Sequence, residues 1–335
     1  MHFYKLIYII PLLALVKLGQ LISTSEAFDQ LQIKYSSEDR VRAHNEHDLW
    51  KQPCQFKPNG TGPLPVVLMA LGRSGSSVTW DTMSQLTGQR NMAYEVTGGN
   101  RNSSKEFFND MQEDELAFHN WTMQRLCHIQ QNRPDISSEA GIAGFQWKPY
   151  MSSFDHEYAI AGLKIIGETT DPLVKVVYLT RNPLDRKLSN IRHTKSKQQS
   201  DKKIEAHCAV GDAACIKKHS QFDTNTTFPT GDKLKLWLEN NVIVHDKIIG
   251  RLEELNIPYV EISYKNLYSS DDAEEWMRIF RFLGRGPAEG LTMDDVGAAF
   301  SMASTHTQSR NETITNFEDV KKTLVGTEYE YLLGD

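Results

Sequence analysis

Apolar residues in this chain of 335 residues fall into short runs that alternate with segments of helical period. Residues 65–71 form one continuous apolar run, and residues 176–179 form another. Short runs that are apolar at every position predict strands buried on both faces, as in a parallel sheet. A helical pattern follows each run, beginning with Val78 and Met83 in the first case and at Pro183 in the second. We therefore predict an α/β fold with a central, mostly parallel sheet flanked by helices.

The rest of the chain fits one large domain with a polar lead-in. Apolar residues recur near helical spacing in residues 233–254, 273–283 and 316–324, which predicts further helices. With 39% hydrophobic residues, residues 64–335 can bury a full core. Residues 28–63 are polar and contain Pro53, Gly60 and Gly62, which indicates a stem or irregular lead-in rather than a second domain.

The turn after the first predicted strand has the composition of a phosphate-binding loop. It lies at a helix N-terminus, where unpaired amides and the helix dipole favour an anion. Glycines let the main chain approach a phosphate, and serines add hydroxyl donors. The loop residues concerned are Arg73, Ser74, Gly75, Ser76 and Ser77. A Walker loop would have lysine after its last glycine, but Ser76 stands there, which disfavours a magnesium-dependent NTPase.

A second strand-to-helix turn carries another pair of phosphate-binding candidates. Arg181 stands at the carboxyl end of the second predicted strand, the edge at which open α/β sheets bind ligands. Ser189 follows eight residues later on the next helix. Both residues border the crevice at this edge, so they are candidates for holding a second phosphate.

Together the two segments carry a family resemblance. The pattern R-S-G-S-S after a strand, followed by a strand and R-N-P-x-x-x-x-x-S, is similar to the phosphate-binding segments of sulfotransferases that use 3′-phosphoadenosine 5′-phosphosulfate. The chain most resembles the carbohydrate sulfotransferases of the Golgi and secretory pathway. Residues 258–267 and 274–284 look like the final strand and helix of that family. The resemblance spans residues 64–335 and implies a P-loop-like sulfotransferase fold.

The resemblance also implies an activity and a set of binding residues. The chain would transfer sulfonate from the nucleotide to an acceptor hydroxyl, on a carbohydrate, and release adenosine 3′,5′-bisphosphate without a metal. The loop at residues 73–77 would bind the 5′-phosphosulfate. Arg181 and Ser189 would bind the 3′-phosphate, and Arg310, in a late loop, would contact the same group.

Three residues are candidates for the transfer step. Arg73 is a permanent cation that can stabilise charge on the leaving phosphate. Glu95 occupies the place where several relatives have a catalytic glutamate, so the resemblance implies that it is the base; the alternative is a surface carboxylate. Lys148 resembles a lysine of several family members that contacts sulfonate or acceptor, although a lysine extending from a strand end is an equal alternative.

Other function classes stay open at this stage. They are a P-loop nucleotide kinase or other phosphotransferase, and a non-catalytic protein that binds a nucleotide or sugar. The acceptor is also open, and a tyrosyl protein is among the candidates. Residues 186–203 are strongly basic, which is typical of a solvated face. Because they continue from the proposed 3′-phosphate helix, the alternative is that they steer the anionic donor or contact an acidic acceptor. Nucleic acid is disfavoured, because the chain has a net charge of −6 and the basic run lacks interleaved aromatic residues.

The N-terminus and the sequons indicate the secretory pathway. Residues 1–27 contain Lys5, an apolar run at 6–16 and a small-x-small site ending at Ala27, which predicts a signal peptide or a signal anchor. An anchor would be the only link to a membrane. Glycosylation sequons stand at Asn59, Asn102, Asn120, Asn225 and Asn311. With the family resemblance, we expect a lumenal protein of the Golgi.

The cysteines fit the same compartment. Four cysteines allow two disulfides with three possible connectivities. Cys208 and Cys215 are close enough in sequence to close a local loop, which leaves Cys54 and Cys127 as the other pair. The competing interpretation is a zinc ion held by these two loop cysteines with His207 and His219. An oxidising lumen favours the disulfide.

Overall fold

The structure is a computed structural model that describes residues 62–88, 127, 141–148, 174–199, 208–220, 226–300, 302–303 and 309–334. The predicted leader at 1–27 and nearly all of the lead-in at 28–63 lie outside these ranges. Within them, no helix is long and apolar enough to cross a membrane.

The described segments alternate strands with helices. The strands are β1 (Leu64–Ala70), β2 (Ile142–Trp147), β3 (Lys175–Thr180) and β4 (Tyr259–Ser263). The helices are α1 (Ser76–Leu86), α2 (Pro183–Gln199), α3 (Ala213–Ser220), α4 (Asp232–Glu254), α5 (Tyr264–Ser269), α6 (Glu274–Leu283), α7 (Met293–Ala298), α8 (Arg310–Thr313) and α9 (Phe317–Leu324), before a final 3-10 helix (Glu330–Leu333).

The four strands form one parallel sheet in the order β2-β1-β3-β4. Val66 of β1 aligns with Gly144 of β2 on one side and with Lys175 of β3 on the other. Every residue of β1 and β2 is buried, which is why these segments are apolar almost throughout. The predicted α/β fold with a central parallel sheet flanked by helices is confirmed.

Helices cover the two faces of the sheet with separate apolar clusters. Side chains alternate along a strand, so Leu68 and Val177 point to one face, where they pack with Trp80 of α1 and Trp276 of α6. On the other face, Tyr178 contacts His245 of α4. A second apolar cluster joins α4 to α2 and α9. Its members include Leu184, Leu188, Leu234, Leu238, Val320 and Leu324.

Helix α6 shows how sequence determines one of these layers. Its buried side chains recur at helical spacing, at Trp276, Ile279, Phe280 and Leu283. Gly284 ends the helix in the left-handed conformation, with a φ of 65°. Lys175 of β3 donates hydrogen bonds to the carbonyls of Phe282 and Leu283 at 2.5 and 3.1 Å, which places a cation at the negative end of the helix dipole. The helices predicted at 233–254, 273–283 and 316–324 are all present within one residue at each end.

Two features differ from the sequence interpretation. A strand before Lys148 entered the sequence interpretation only as an alternative for that lysine, and residues 142–147 form β2 beside β1. The segment at 258–267, expected to be a strand, is a strand only as far as Ser263, and Tyr264 begins helix α5. The chain turns there because β4 reaches the carboxyl edge of the sheet, where its pairing with β3 ends.

Gly144 gives a direct test of the β1–β2 pairing. A Cβ added to this buried residue would overlap the carbonyl oxygen of Val66 and lie 2.8 Å from its carbonyl carbon. Because backbone atoms of β1 cannot move aside without disturbing the sheet, Gly144→Ala should lower the free energy of unfolding by about 1–3 kcal/mol. Urea denaturation of the purified chain measures this change.

Gly250→Ala is the matched control. Gly250 is exposed within α4, and a Cβ added there meets no atom within 4 Å. Alanine favours the helix, so this variant should gain about 0.5–1 kcal/mol. Equal stability of Gly144→Ala and the wild type would contradict the close approach of the two strands.

Candidate functional site

The carboxyl edge of the sheet collects the predicted site residues that the structure describes. All four strands are parallel, so they end at the same edge. The loop containing Arg73 follows β1, Lys148 follows β2, Arg181 follows β3 and Tyr264 follows β4. This edge is where open α/β sheets bind ligands.

Within this edge, the space between β1 and β3 is a topological switch point. Helix α1 follows β1 and packs on the face of Trp80, whereas α2 follows β3 and packs with α4 on the face of Tyr178. The two connections therefore leave in opposite directions and open a crevice between adjacent strands. Arg73 and Arg181 flank that crevice.

The loop after β1 has the backbone of a tight strand-to-helix turn. Arg73 and Gly75 both adopt left-handed conformations, with φ angles of 67° and 89°. The Ser74 amide donates to the Leu71 carbonyl at 3.2 Å and closes the turn. No side chain caps α1 at Gly75. The first amides of the helix, including those of Ser76 and Ser77, therefore face the crevice edge without an intrahelical acceptor.

The two predicted phosphate-binding segments touch one another. Arg73 Nε donates a hydrogen bond to Ser189 Oγ at 3.3 Å, across 116 positions of sequence. Arg181 Nη1 donates to the carbonyl oxygen of Arg73 at 3.2 Å. Two loops that were proposed separately from sequence thus form one cluster, with the side chains of Arg73, Arg181 and Ser189 within reach of a single ligand.

Two donors of this cluster have no acceptor within the described part of the protein. Ser74 Oγ is buried, with the residue 1% exposed, and has no hydrogen-bond partner among the described residues. Arg181 Nε is also buried and has no acceptor among the residues that the structure describes. Leaving such groups unpaired is unfavourable, and a ligand that accepts hydrogen bonds would remove the penalty. Unpaired donors beside a helix N-terminus suit an anion such as a phosphate.

Arg186 holds the loop from behind. This buried side chain donates from Nε to the carbonyl of Gly72 at 3.1 Å and from Nη1 to Asn241 Oδ1 at 3.0 Å. Asn241 is fixed in turn by a 2.7 Å hydrogen bond to the Trp237 carbonyl within α4. The sequence interpretation counted Arg186 only as part of a basic run. Its place one turn into the helix after Arg181 is a signal that could have identified it.

The structure describes one of the two remaining catalytic candidates. Lys148 is half-buried at the carboxyl edge, directly after β2. The predicted base, Glu95, lies outside the described residues. Both assignments stay predictions.

Arg310 has a structural role in the described chain. Its guanidinium pairs with both carboxylate oxygens of Asp185, at 2.6 and 3.1 Å. It also donates to the carbonyls of Leu332 and Gly334, at 2.6 and 3.3 Å. This arginine therefore ties the end of the chain to the first turn of α2. The contact with a 3′-phosphate stays a prediction, and most of the donors it would need already have acceptors.

The cysteine cluster is a disulfide rather than a zinc site. Cys208 and Cys215 are bonded, with their Cα atoms 5.6 Å apart. His219 lies within 4.8 Å of their sulfurs, but a disulfide has no thiolate to offer a metal. Cys127 is also disulfide-bonded, and its predicted partner, Cys54, lies outside the described residues.

Of the five sequons, one can be located. Asn311 is exposed on α8. The others, at Asn59, Asn102, Asn120 and Asn225, lie outside the described residues.

Family models and curated proteins provide no relative of this chain. No family model matches the chain, and no curated protein matches it significantly. The sulfotransferase resemblance therefore depends on the two motifs themselves, and the convergence of their side chains is the observation on which a function can be built.

The role of Arg310 is testable through stability. Arg310→Ala leaves Asp185 without its cation and frees the C-terminal carbonyls, so the free energy of unfolding should fall by about 2–3 kcal/mol. Urea denaturation measures the change. Arg281→Ala is the control, because the Arg281–Glu274 pair is half exposed and should contribute little. Unchanged stability with weakened binding of a nucleotide bisphosphate would contradict the structural role and favour the predicted ligand contact.

Proposed function

We propose that this chain is a sulfotransferase that moves a sulfonate group from 3′-phosphoadenosine 5′-phosphosulfate to a hydroxyl of a carbohydrate. The observation that carries this proposal is the contact between the two phosphate-binding segments, in which Arg73 donates to Ser189 and Arg181 donates to the Arg73 carbonyl. In this proposal the α/β fold is the P-loop-like fold of that family. The parallel sheet and the loop at its switch point support it.

The residues at the crevice fit a nucleotide with two anionic groups. Ser74 Oγ, Arg181 Nε and the first amides of α1 are donors that require acceptors. The loop at residues 73–77 would hold the 5′-phosphosulfate, and Arg181 with Ser189 would hold the 3′-phosphate. When bound, the nucleotide supplies the sulfonate, and adenosine 3′,5′-bisphosphate is released.

The protein would contribute charge stabilisation and a base. The acceptor oxygen forms a bond to sulfur while the bond from sulfur to the 5′-phosphate oxygen breaks, and the bonding electron pair stays on that phosphate oxygen. Arg73 is a permanent cation that stabilises the resulting negative charge. Glu95 would accept the proton of the acceptor hydroxyl, because an ionised glutamate is a competent general base. Lys148, at the same edge, would contact the sulfonate or the acceptor.

The proposed compartment is the lumen of the secretory pathway, in the Golgi. The Cys208–Cys215 disulfide supports it, because such bonds persist in oxidising compartments.

Nucleotide binding is the first test of this function. By calorimetry without metal, the purified chain should bind adenosine 3′,5′-bisphosphate more tightly than adenosine 5′-monophosphate or ATP. Arg181→Ala should weaken binding of the bisphosphate by about 10- to 100-fold, the effect of losing a charge-assisted hydrogen bond, and leave the monophosphate nearly unaffected. Arg251→Ala, at a partly exposed position of α4, is the matched control.

The outcome separates the competing functions. No preference for the bisphosphate would remove the basis of the sulfotransferase proposal. Preference for ATP with magnesium would favour a nucleotide kinase. Bisphosphate binding without turnover on a broad panel of carbohydrate and tyrosyl-peptide acceptors would favour a non-catalytic binding protein.

Turnover tests the roles in transfer. Arg73→Ala should lower the rate of bisphosphate release by about 10²–10³-fold in the presence of an acceptor, the scale for losing one charge-stabilising group. Glu95→Gln should bind the bisphosphate normally and lose transfer, because the amide cannot accept the proton. Circular dichroism establishes that each variant is folded. Normal turnover in either variant would remove that residue from its assigned role.

A further inference from the structure

The ring of Tyr264 lies between the two halves of the candidate site. Tyr264 is the first residue of α5, immediately after β4, and it is half-buried at the carboxyl edge of the sheet. On one side, the Arg181 guanidinium lies over its ring, with Cζ 4.4 Å from the ring centroid. This distance is within the range of a cation–π interaction. The ring therefore helps determine where Arg181 can lie.

On another side, the same ring packs against the anion-binding loop. A Cβ added to Gly75 would lie 2.6 Å from Cδ2 of Tyr264 and would overlap Cε2. Gly75 also has a positive φ of 89°, which favours glycine independently. The absence of a side chain at Gly75 thus lets the ring approach the N-terminus of α1 closely, while the ring supports Arg181.

A chain of contacts fixes the ring in this place. Tyr264 packs against Tyr268 at a centroid distance of 4.6 Å. The Tyr268 hydroxyl lies 3.0 Å from Thr79 Oγ1, which itself donates to the Gly75 carbonyl at 3.1 Å. Because Thr79 directs its own hydroxyl proton to the Gly75 carbonyl, the Tyr268 hydroxyl donates to Thr79 Oγ1. Burial raises the pKa of Tyr268 above its ordinary value. The contacts therefore run from Gly75 through both tyrosines and Thr79 and return to Gly75.

We propose that Tyr264 is a positioning residue that holds the Arg181 guanidinium at the mouth of the anion-binding loop. Its ring faces the guanidinium and leaves Nη1 bonded to the Arg73 carbonyl. Nε has no acceptor among the described residues, so it can bind an anion. That the anion is the 3′-phosphate rests on the proposed function. The placement of Arg181 by Tyr264 does not depend on it.

The Tyr264 hydroxyl has no part in this role. It forms no hydrogen bond with any residue in the described ranges, so the aromatic face alone should position Arg181. Tyr264→Phe should therefore behave like the wild type. Tyr264→Leu retains an apolar side chain of moderate size but removes the aromatic face.

Nuclear magnetic resonance tests the placement without any nucleotide. Protons above an aromatic face are shifted upfield by the ring current, so the Nε proton of Arg181 should resonate upfield in the wild type and in Tyr264→Phe. The shift should be lost in Tyr264→Leu, and Arg181→Ala assigns the signal by its disappearance. An unshifted signal in the wild type would overturn the proposal, whatever the nucleotide specificity of the protein.

A double-mutant cycle tests whether the placement matters for binding. Tyr264→Leu should weaken binding of adenosine 3′,5′-bisphosphate by about 3- to 10-fold, the scale of a partly desolvated cation–π interaction. Binding of adenosine 5′-monophosphate should change little. In the Arg181→Ala background the same substitution should have no further effect, because its action passes through Arg181.

The outcomes distinguish this proposal from the proposed function. If the wild type shows no preference for the bisphosphate, the proposed function fails, and the resonance of Arg181 alone decides the role of Tyr264. If the preference is present but Tyr264→Leu binds the bisphosphate as tightly as the wild type, the positioning role is wrong and the function stands. An equal loss in both backgrounds would show that Tyr264 acts through general packing, which also overturns the proposal.

Discussion

The carbonyl groups of the turn between β1 and α1 are held by two arginines, one in the turn after β3 and one in α2, and the candidate site depends on this arrangement. Arg186 binds the carbonyl of Gly72, and Arg181 binds that of Arg73. In a trans peptide the N–H points opposite to the carbonyl. Holding the Gly72 carbonyl therefore turns the Arg73 amide away from Arg186. The same hydrogen bonds link the loop after β1 to the connection after β3, across the switch point of the sheet.

The C-terminal segment stabilises the start of α2, the helix that contains Arg186 and follows Arg181. The Leu332 carbonyl accepts hydrogen bonds from Asn182 at 2.9 Å and from Arg310 at 2.6 Å. Asn182 also accepts from the Leu184 amide through Oδ1, which caps the first turn of α2. With Arg310 paired to Asp185, the start of α2 is fixed by residues more than a hundred positions away. The end of the chain thus contributes to the site without facing the crevice.

Sequence predicted the parts of this site that depend on local pattern, and it missed those that depend on long-range contacts. Arg73 and Arg181 each follow a short buried strand, and parallel strands bring such positions to one edge, so their meeting was predictable. The pairing of Arg310 with Asp185 carries no local signal, because an exposed and a buried arginine look alike in a polar loop. Tyr264 was missed for a different reason: the segment containing it was interpreted as a continuous strand. The sheet ends at Ser263, which places Tyr264 at the edge by the same rule that identified Arg181.

The backbone conformation of Arg73 indicates that arginine occupies this position because of its side chain and not because the turn requires it. A φ of 67° is accessible to glycine without steric cost, whereas a residue with a Cβ pays about 1–2 kcal/mol there. Glycine would therefore form the same turn more readily. Arginine in this conformation directs its Nε across the crevice to Ser189 of α2. Strain of this kind persists where the surroundings determine it and often marks a functional site. Here Arg181 and Arg186 hold the loop carbonyls in place and thereby maintain the strained backbone of Arg73. The same hydrogen bonds therefore account for both the strain and the orientation of the Arg73 guanidinium.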